Sequence, residues 1–160
     1  MRIHTELDVP YPRTQVWDFS VDPMNQLKWD RSVAEVVLTS DGPVRAGYTF
    51  DTVGPKRSGD RRAGITTSYR VAEYEPERHA RIEVTNSPTF RRAVWDFRFE
   101  QVPGGTRVVW NVELTAKARY PLLTLIMRLN RHQLVRDMRW FEEALAEECS
   151  TDKPSGGRSH

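Results

Sequence analysis

Residues 91–115 read Arg-Arg-Ala-Val-Trp-Asp-Phe-Arg-Phe-Glu-Gln-Val-Pro-Gly-Gly-Thr-Arg-Val-Val-Trp-Asn-Val-Glu-Leu-Thr, and this stretch decides the fold. Ala93, Trp95, Phe97 and Phe99 alternate with Arg92, Val94, Asp96, Arg98 and Glu100. That period of two is the pattern of a strand with one apolar face. Pro103-Gly104-Gly105 turns the chain tightly. Val108, Trp110, Val112 and Leu114 then occupy one face of a second strand. A hairpin this apolar on one side has to be covered by another layer.

Upstream of the hairpin lie further strand signals separated by turn residues. Residues 3–9 alternate, with Ile3, Thr5, Leu7 and Val9 against His4, Glu6 and Asp8. Residues 13–21 read as a short helix with Val16, Trp17 and Phe19 inward. Asp22-Pro23 breaks it, because the residue before a proline is pushed out of the helical region. Residues 24–29 read as a second short helix. Strands are expected at 32–39, 47–53, 64–74 and 80–86, with a basic, polar hairpin loop over 56–62. Downstream the period changes. From Pro121 to about Glu148 apolar residues recur at helical spacing (Leu122, Leu125, Ile126, Leu129, Leu134, Met138, Phe141 and Leu145), and proline suits the first helical position.

The order is therefore strand, two short helices, six consecutive strands and one long helix. The fold class is α+β: a curved antiparallel sheet of about seven strands wrapped around the C-terminal helix. Residues 1–148 are expected to form one domain and residues 149–160, small and polar, a disordered tail. A bent sheet and a single rod do not close fully on each other, and an internal cavity between them is the expected ligand site.

Composition narrows the function. The 160 residues carry a formal net charge of +2, which calls for no nucleic-acid partner. Lysine occurs only at 28, 56, 117 and 153, so the other cations are arginine. A single cysteine, Cys149, excludes an internal disulfide and a cysteine zinc cluster. No metal motif, phosphate loop or nucleophile elbow is present, and no cofactor is expected. The N-terminus has no uninterrupted apolar run and no stretch approaches about 20 apolar residues, so the expected location is the cytoplasm.

Pro-x-x-x-Val16-Trp17-Asp18-Phe19, Asp22-Pro23, Trp29, Val44 to Gly47 and Tyr74-Glu75-Pro76-Glu77-Arg78 together resemble the START-like, helix-grip (SRPBCC) superfamily, and within it the polyketide cyclase/dehydrase and lipid-transport branch. The resemblance covers about residues 1–148. It implies a deep cavity between sheet and helix that takes a lipid, a polyketide or an aromatic or isoprenoid molecule. Some members of the superfamily close or dehydrate rings, and others only bind or carry.

Strand phase sets the candidate wall: Thr67 and Tyr69; Ile82, Val84 and Asn86; Arg91, Trp95 and Phe97; and Trp110, with Ile126 and Leu129 from the helix. Polar members of an apolar face cost free energy unless partnered, so each closes a structural hydrogen bond or meets a ligand. Tyr69 could donate a proton to a carbonyl, or simply rest its hydroxyl at a rim. Arg91 could stabilise an enolate, or pair with Glu83 in solvent. Trp95 and Trp110 could stack on a flat ligand or fill the core. Arg128, Arg131, Arg136 and Arg139 make a basic band on the helix that suits an acyl carrier protein, a membrane surface or plain solvent. Three functions stay open: a binder or carrier of a hydrophobic ligand, a cyclase or dehydratase of secondary metabolism using Tyr69 and Arg91, and a partner-binding module. The chain is expected to be a monomer or a homodimer.

Overall fold

Alternation places the central hairpin where it is expected. β6 (Phe90–Val102) and β7 (Gly105–Ala116) pair antiparallel, with Trp95 opposite Val112, Phe97 opposite Trp110 and Phe99 opposite Val108. The computed structural model describes residues 1–56, 64–120 and 132–151, with the backbone alone over 132–135. Val102 pairs with Gly105, so the loop is Pro103-Gly104, and Gly104 takes φ +83°. Gly105 is required for space: a Cβ there would lie 1.9 Å from the carbonyl oxygen of Val9. That contact arises because β1 (Arg2–Val9) pairs antiparallel with β7 on the other side.

The remaining strands are β2 (Glu35–Leu38), β3 (Thr49–Val53), β4 (Thr66–Glu75) and β5 (His79–Asn86). They complete a curved seven-stranded sheet in the order β1-β7-β6-β5-β4-β3-β2. Of the expected basic loop over 56–62, residues 57–62 lie outside the described residues.

Three register shifts depart from strict alternation. Ala72 is supernumerary in β4, since Val71 faces Ile82 and Glu73 faces Arg81. Tyr74 is thereby turned onto the inner face opposite Ala80. Thr85 is supernumerary in β5, which sets Asn86 opposite Ser68 rather than Thr67. Arg91 is supernumerary in β6, between the Phe90–Ala116 and Arg92–Thr115 pairs.

α1 (Arg13–Val21) buries Val16, Trp17 and Phe19, as its sequence demands. Asp22 ends it in extended backbone, and its carboxylate accepts the Met24 N–H at 2.9 Å. A 3-10 turn over Pro23–Asn25 and α2 (Gln26–Trp29) follow. α3 is described over His132–Thr151 and lays Met138, Phe141, Ala144 and Leu145 against the sheet. It runs three residues past the expected end at Glu148. Cys149 packs beside the core rather than beyond it. The expected first turns of this helix, with Leu122, Leu125, Ile126, Arg128, Leu129 and Arg131, lie outside the described residues.

Two buried clusters result. One joins Val9, Val16, Trp17, Phe19, Phe99, Val108, Trp110 and the α3 residues. The other joins Val36, Tyr48, Phe50, Val71 and Ile82 at the β2–β3 end. Each fully buried large side chain contributes about 1.5–3 kcal/mol. The outer face is charged. Arg107 grips Asp8 with two bonds of 2.7 and 2.9 Å, and Arg2 meets Glu113 at 2.9 Å. Val94 is buried there beside Arg2, Arg81 and Arg98. Among the described residues no helix is long and apolar enough to cross a membrane.

Candidate functional site

Side chains at alternate positions of β3 to β7 converge on the concave face, and several of them are aromatic. Phe50 stacks on Tyr69 at 5.1 Å, and Tyr69 meets Trp95 edge-on at 5.7 Å. Phe97 meets Trp110 at 5.7 Å, and Trp110 meets Phe141 of α3 at 5.2 Å. Trp29, at the end of α2, touches both Trp110 (5.3 Å) and Phe141 (5.7 Å). Edge-to-face geometry favours such ring pairs by about 0.5–1.5 kcal/mol each. Phe50 and Trp110 are buried. Tyr69, Val84, Trp95 and Phe97 remain partly accessible although they stand on the inner face.

The α1 end of the concave face is nearly filled. A chamber bounded by Val44, Val71, Tyr74, Ile82, Phe97 and Phe99 has about 10 Å³ free, room for a single water. Tyr74, turned inward by the bulge, packs against Trp17 at 5.1 Å and helps close that end. Tyr69 and Trp95, farther along the same face, keep part of their surface uncovered.

Asp30 acts electrostatically on two other titratable side chains, Tyr69 and Asp137. Burial raises the Tyr69 phenol above its ordinary range, a Thr52 hydrogen bond pulls it down, and the Asp30 charge adds to the rise. Tyr69 is thus held as a hydrogen-bond donor at neutral pH. Asp137 of α3 is pushed up to about 6, first by burial and then by the Asp30 charge, with Arg136 opposing. Asp30 is fixed at the end of α2, where its carboxylate accepts the Ser32 N–H at 2.9 Å and hydroxyl at 2.6 Å. One acid therefore influences both a tyrosine on the sheet and a second acid on the helix.

The expected wall residues divide into three groups. Tyr69, Ile82, Val84, Trp95, Phe97 and Trp110 stand together on the concave face. Thr67 is buried opposite Thr52 on the same strands. Asn86 and Arg91 were expected to face inward and do not share that wall. Both are exposed, because each sits at a register shift that alternation cannot register. Arg91 makes no ion pair with Glu83, which is held by Arg81 at 3.2 Å and Arg70 at 3.8 Å. Ile126 and Leu129 lie outside the described residues. Arg136 and Arg139 of the basic band are exposed.

Asp30 and Asp137 were missed. Asp137 reads as part of a charged run with Arg136 and Arg139. A signal was nevertheless present, since it stands three residues after Leu134 and four before Phe141, beside the apolar stripe. Among the described residues no group of His, Cys, Asp and Glu is arranged to hold a metal ion.

α2 is clamped to α3 around this corner. Arg31 lies over the Trp140 ring at 4.1 Å, and Lys28 bonds Glu148 at 2.6 Å.

Comparison with known proteins agrees with this architecture. Residues 1–147 match the family described as polyketide cyclase / dehydrase and lipid transport. The uncharacterized protein Rv2574 of Mycobacterium tuberculosis is 27% identical over 150 residues, covering 86% of this chain and 82% of that protein. The Zhui aromatase/cyclase from Streptomyces sp. R1128 superposes with a TM-score of 0.73 at 14% identity, over 98% of each chain. TTHA0849 from Thermus thermophilus gives a TM-score of 0.72 at 16% identity, over 92% of this chain and 99% of that one. With its whole sheet and its described helices matched by one family, this chain belongs to the polyketide cyclase/dehydrase and lipid transport family.

Proposed function

We propose that this protein binds a small, mainly apolar ligand (a polyketide, lipid, or aromatic or isoprenoid molecule) against the concave aromatic wall, in the cytoplasm. One observation carries the reading: Tyr69, Val84, Trp95 and Phe97 sit on the inner face of the sheet and yet stay partly uncovered. Core side chains of a filled interior are normally buried to native packing density. Apolar rings left accessible inside a fold provide the surface that a flat ligand would cover. Titration of the intrinsic tryptophan fluorescence with fused-ring aromatic compounds tests it, together with native mass spectrometry of the purified chain. Saturable quenching or a co-purified small molecule is expected. Absence of both overturns the reading.

A second reading, ring closure of a β-polyketo thioester, draws support from the raised Asp137 carboxyl and from Tyr69, both under the influence of Asp30. A carboxyl near pH 6 is suited to take and return a proton close to neutrality. In that reading the Asp137 carboxylate removes a proton from the carbon between two carbonyls. The resulting enolate forms the new carbon–carbon bond, and Tyr69 protonates the carbonyl oxygen that becomes a hydroxyl. Loss of water from the adduct and enolisation of the remaining ring ketones give the aromatic ring, and the proton taken by Asp137 restores the Tyr69 phenol by way of solvent. Asp137 takes the place first given to Arg91, whose guanidinium stands in solvent. Turnover that vanishes in Tyr69→Phe and Asp137→Asn, with binding retained, would establish the enzyme. Binding without turnover in the parent protein leaves a carrier.

A further inference from the structure

β1 ends the sheet, with β7 on one side and no strand of the described residues on the other. Met1 and Leu114 exchange N–H···O bonds of 2.7 and 2.9 Å, so Ile3, Thr5, Leu7 and Val9 bond β7 in the same way. The N–H and C=O groups of Arg2, His4, Glu6 and Asp8 therefore point off the edge, where they meet no hydrogen-bond partner among the described residues. These four residues are all exposed, with their side chains on the outer face. α3 lies on the other face, where the Thr5 hydroxyl meets the Met138 Sδ at 2.8 Å. Natural sheets usually guard such an edge with lysine, proline or a bulge, and β1 has none of these. Its outer side chains instead run base, base, acid, acid.

We propose that the β1 edges of two copies of this chain pair antiparallel about a two-fold axis at Thr5, joining the two sheets into one. In that register Arg2 faces the partner's Asp8 and His4 faces the partner's Glu6, each twice by symmetry. Every free edge group is then used, giving about eight hydrogen bonds where a standard interface carries roughly ten. Slipping the pair by two residues either way sets His4 on His4 or Glu6 on Glu6 at the axis and leaves edge groups unpaired, so this register is favoured. The ion pairs already present extend the pattern. Glu113–Arg2 of one copy and Asp8–Arg107 of the other stand end to end with alternating sign. One strand pair and exposed charges make a weak dimer, with a Kd on the order of 10–100 μM.

The test is sedimentation equilibrium of the full chain below and above that range, with amide hydrogen exchange measured at both ends. A dimer is expected whose formation slows exchange of the His4 and Glu6 amides. His4→Glu sets acid against acid and Glu6→Lys sets base against base, and each should weaken the dimer about 10-fold. Mixed in equal amounts, the two variants should recover the parent affinity. The introduced charges then face each other, and the untouched His4 and Glu6 do the same. A chain that stays monomeric throughout, leaving the edge to a strand of another protein, overturns the proposal. So does a dimer in which those two amides still exchange freely, or a mixture no tighter than its components. Protection of both amides in the dilute monomer overturns it equally, since the chain itself would then cover the edge.

Discussion

The rings of Phe50 and Tyr69 lie face to face across the β3–β4 pair, 5.1 Å apart and within 10° of parallel. Phe50 is wholly buried and Tyr69 is not, so the first ring is the support and the second the presented surface. Phe50→Ala should destabilise the protein by about 3–5 kcal/mol, through lost transfer energy and the cavity left behind. Phe50→Leu should cost about 1–2 kcal/mol and release the Tyr69 ring. Urea unfolding and near-ultraviolet circular dichroism measure both. A loss below about 1 kcal/mol in Phe50→Ala would show that the stack supports nothing.

Asp137 predicts a pH dependence of opposite sign to most carboxylates. Its folded-state value, about 6, lies above the ordinary 3.8, so the folded protein holds the proton more tightly than the unfolded chain. Stability then falls as pH rises from about 4 to about 6, and the full penalty remains at neutral pH. Asp137→Asn should remove that slope and stabilise the protein at pH 7.5. The gain should be about 1 kcal/mol, because the group is half exposed and solvent screens part of the effect. Urea midpoints at pH 4, 5, 6 and 7.5 decide the matter, and an unchanged slope in the variant would reject the assignment.

Two adjacent glycines should respond differently to alanine. Gly104→Ala meets open space and carries only the strain of a positive φ, about 1 kcal/mol. Gly105→Ala drives a methyl into the Val9 carbonyl and must part β1 from β7. Its cost should exceed about 3 kcal/mol, in the range of a disrupted core contact. Thermal melts of the two variants, side by side, provide the comparison, and equal losses would contradict it.

At the α2–α3 corner the ring contacts should outweigh the ion pair. Trp29→Ala removes contacts with two aromatic rings and should cost about 2–4 kcal/mol. Lys28→Ala breaks a bond of 2.6 Å, but both partners are exposed, and the cost should stay below about 1 kcal/mol. Salt should erase the second effect and spare the first.

Alternation was enough to read β1, β6 and β7, and helical spacing with Asp22-Pro23 was enough for α1. These elements have one face in water and one in the core, so the period survives in the residue types. The misplaced residues sit where one residue is added. Asn86 and Arg91 lose their inward direction, and Tyr74 gains one, because a bulge changes phase without changing composition. The second acid was hidden differently. Asp137 keeps company with arginines on a helix that is mostly solvated, and its meaning appears only once Asp30, more than a hundred residues earlier, is folded beside it.

Ala72 gives β4 a slack point. Val71 and Tyr74 already point the same way with this residue unpaired between them, so removing it would leave every other inward side chain of the strand in place. Removing a paired residue such as Arg70 would instead invert one end of the strand and carry Tyr69 out of the interior. Relatives of unequal length in this strand can therefore share one lining, provided that their insertions and deletions fall at that single joint.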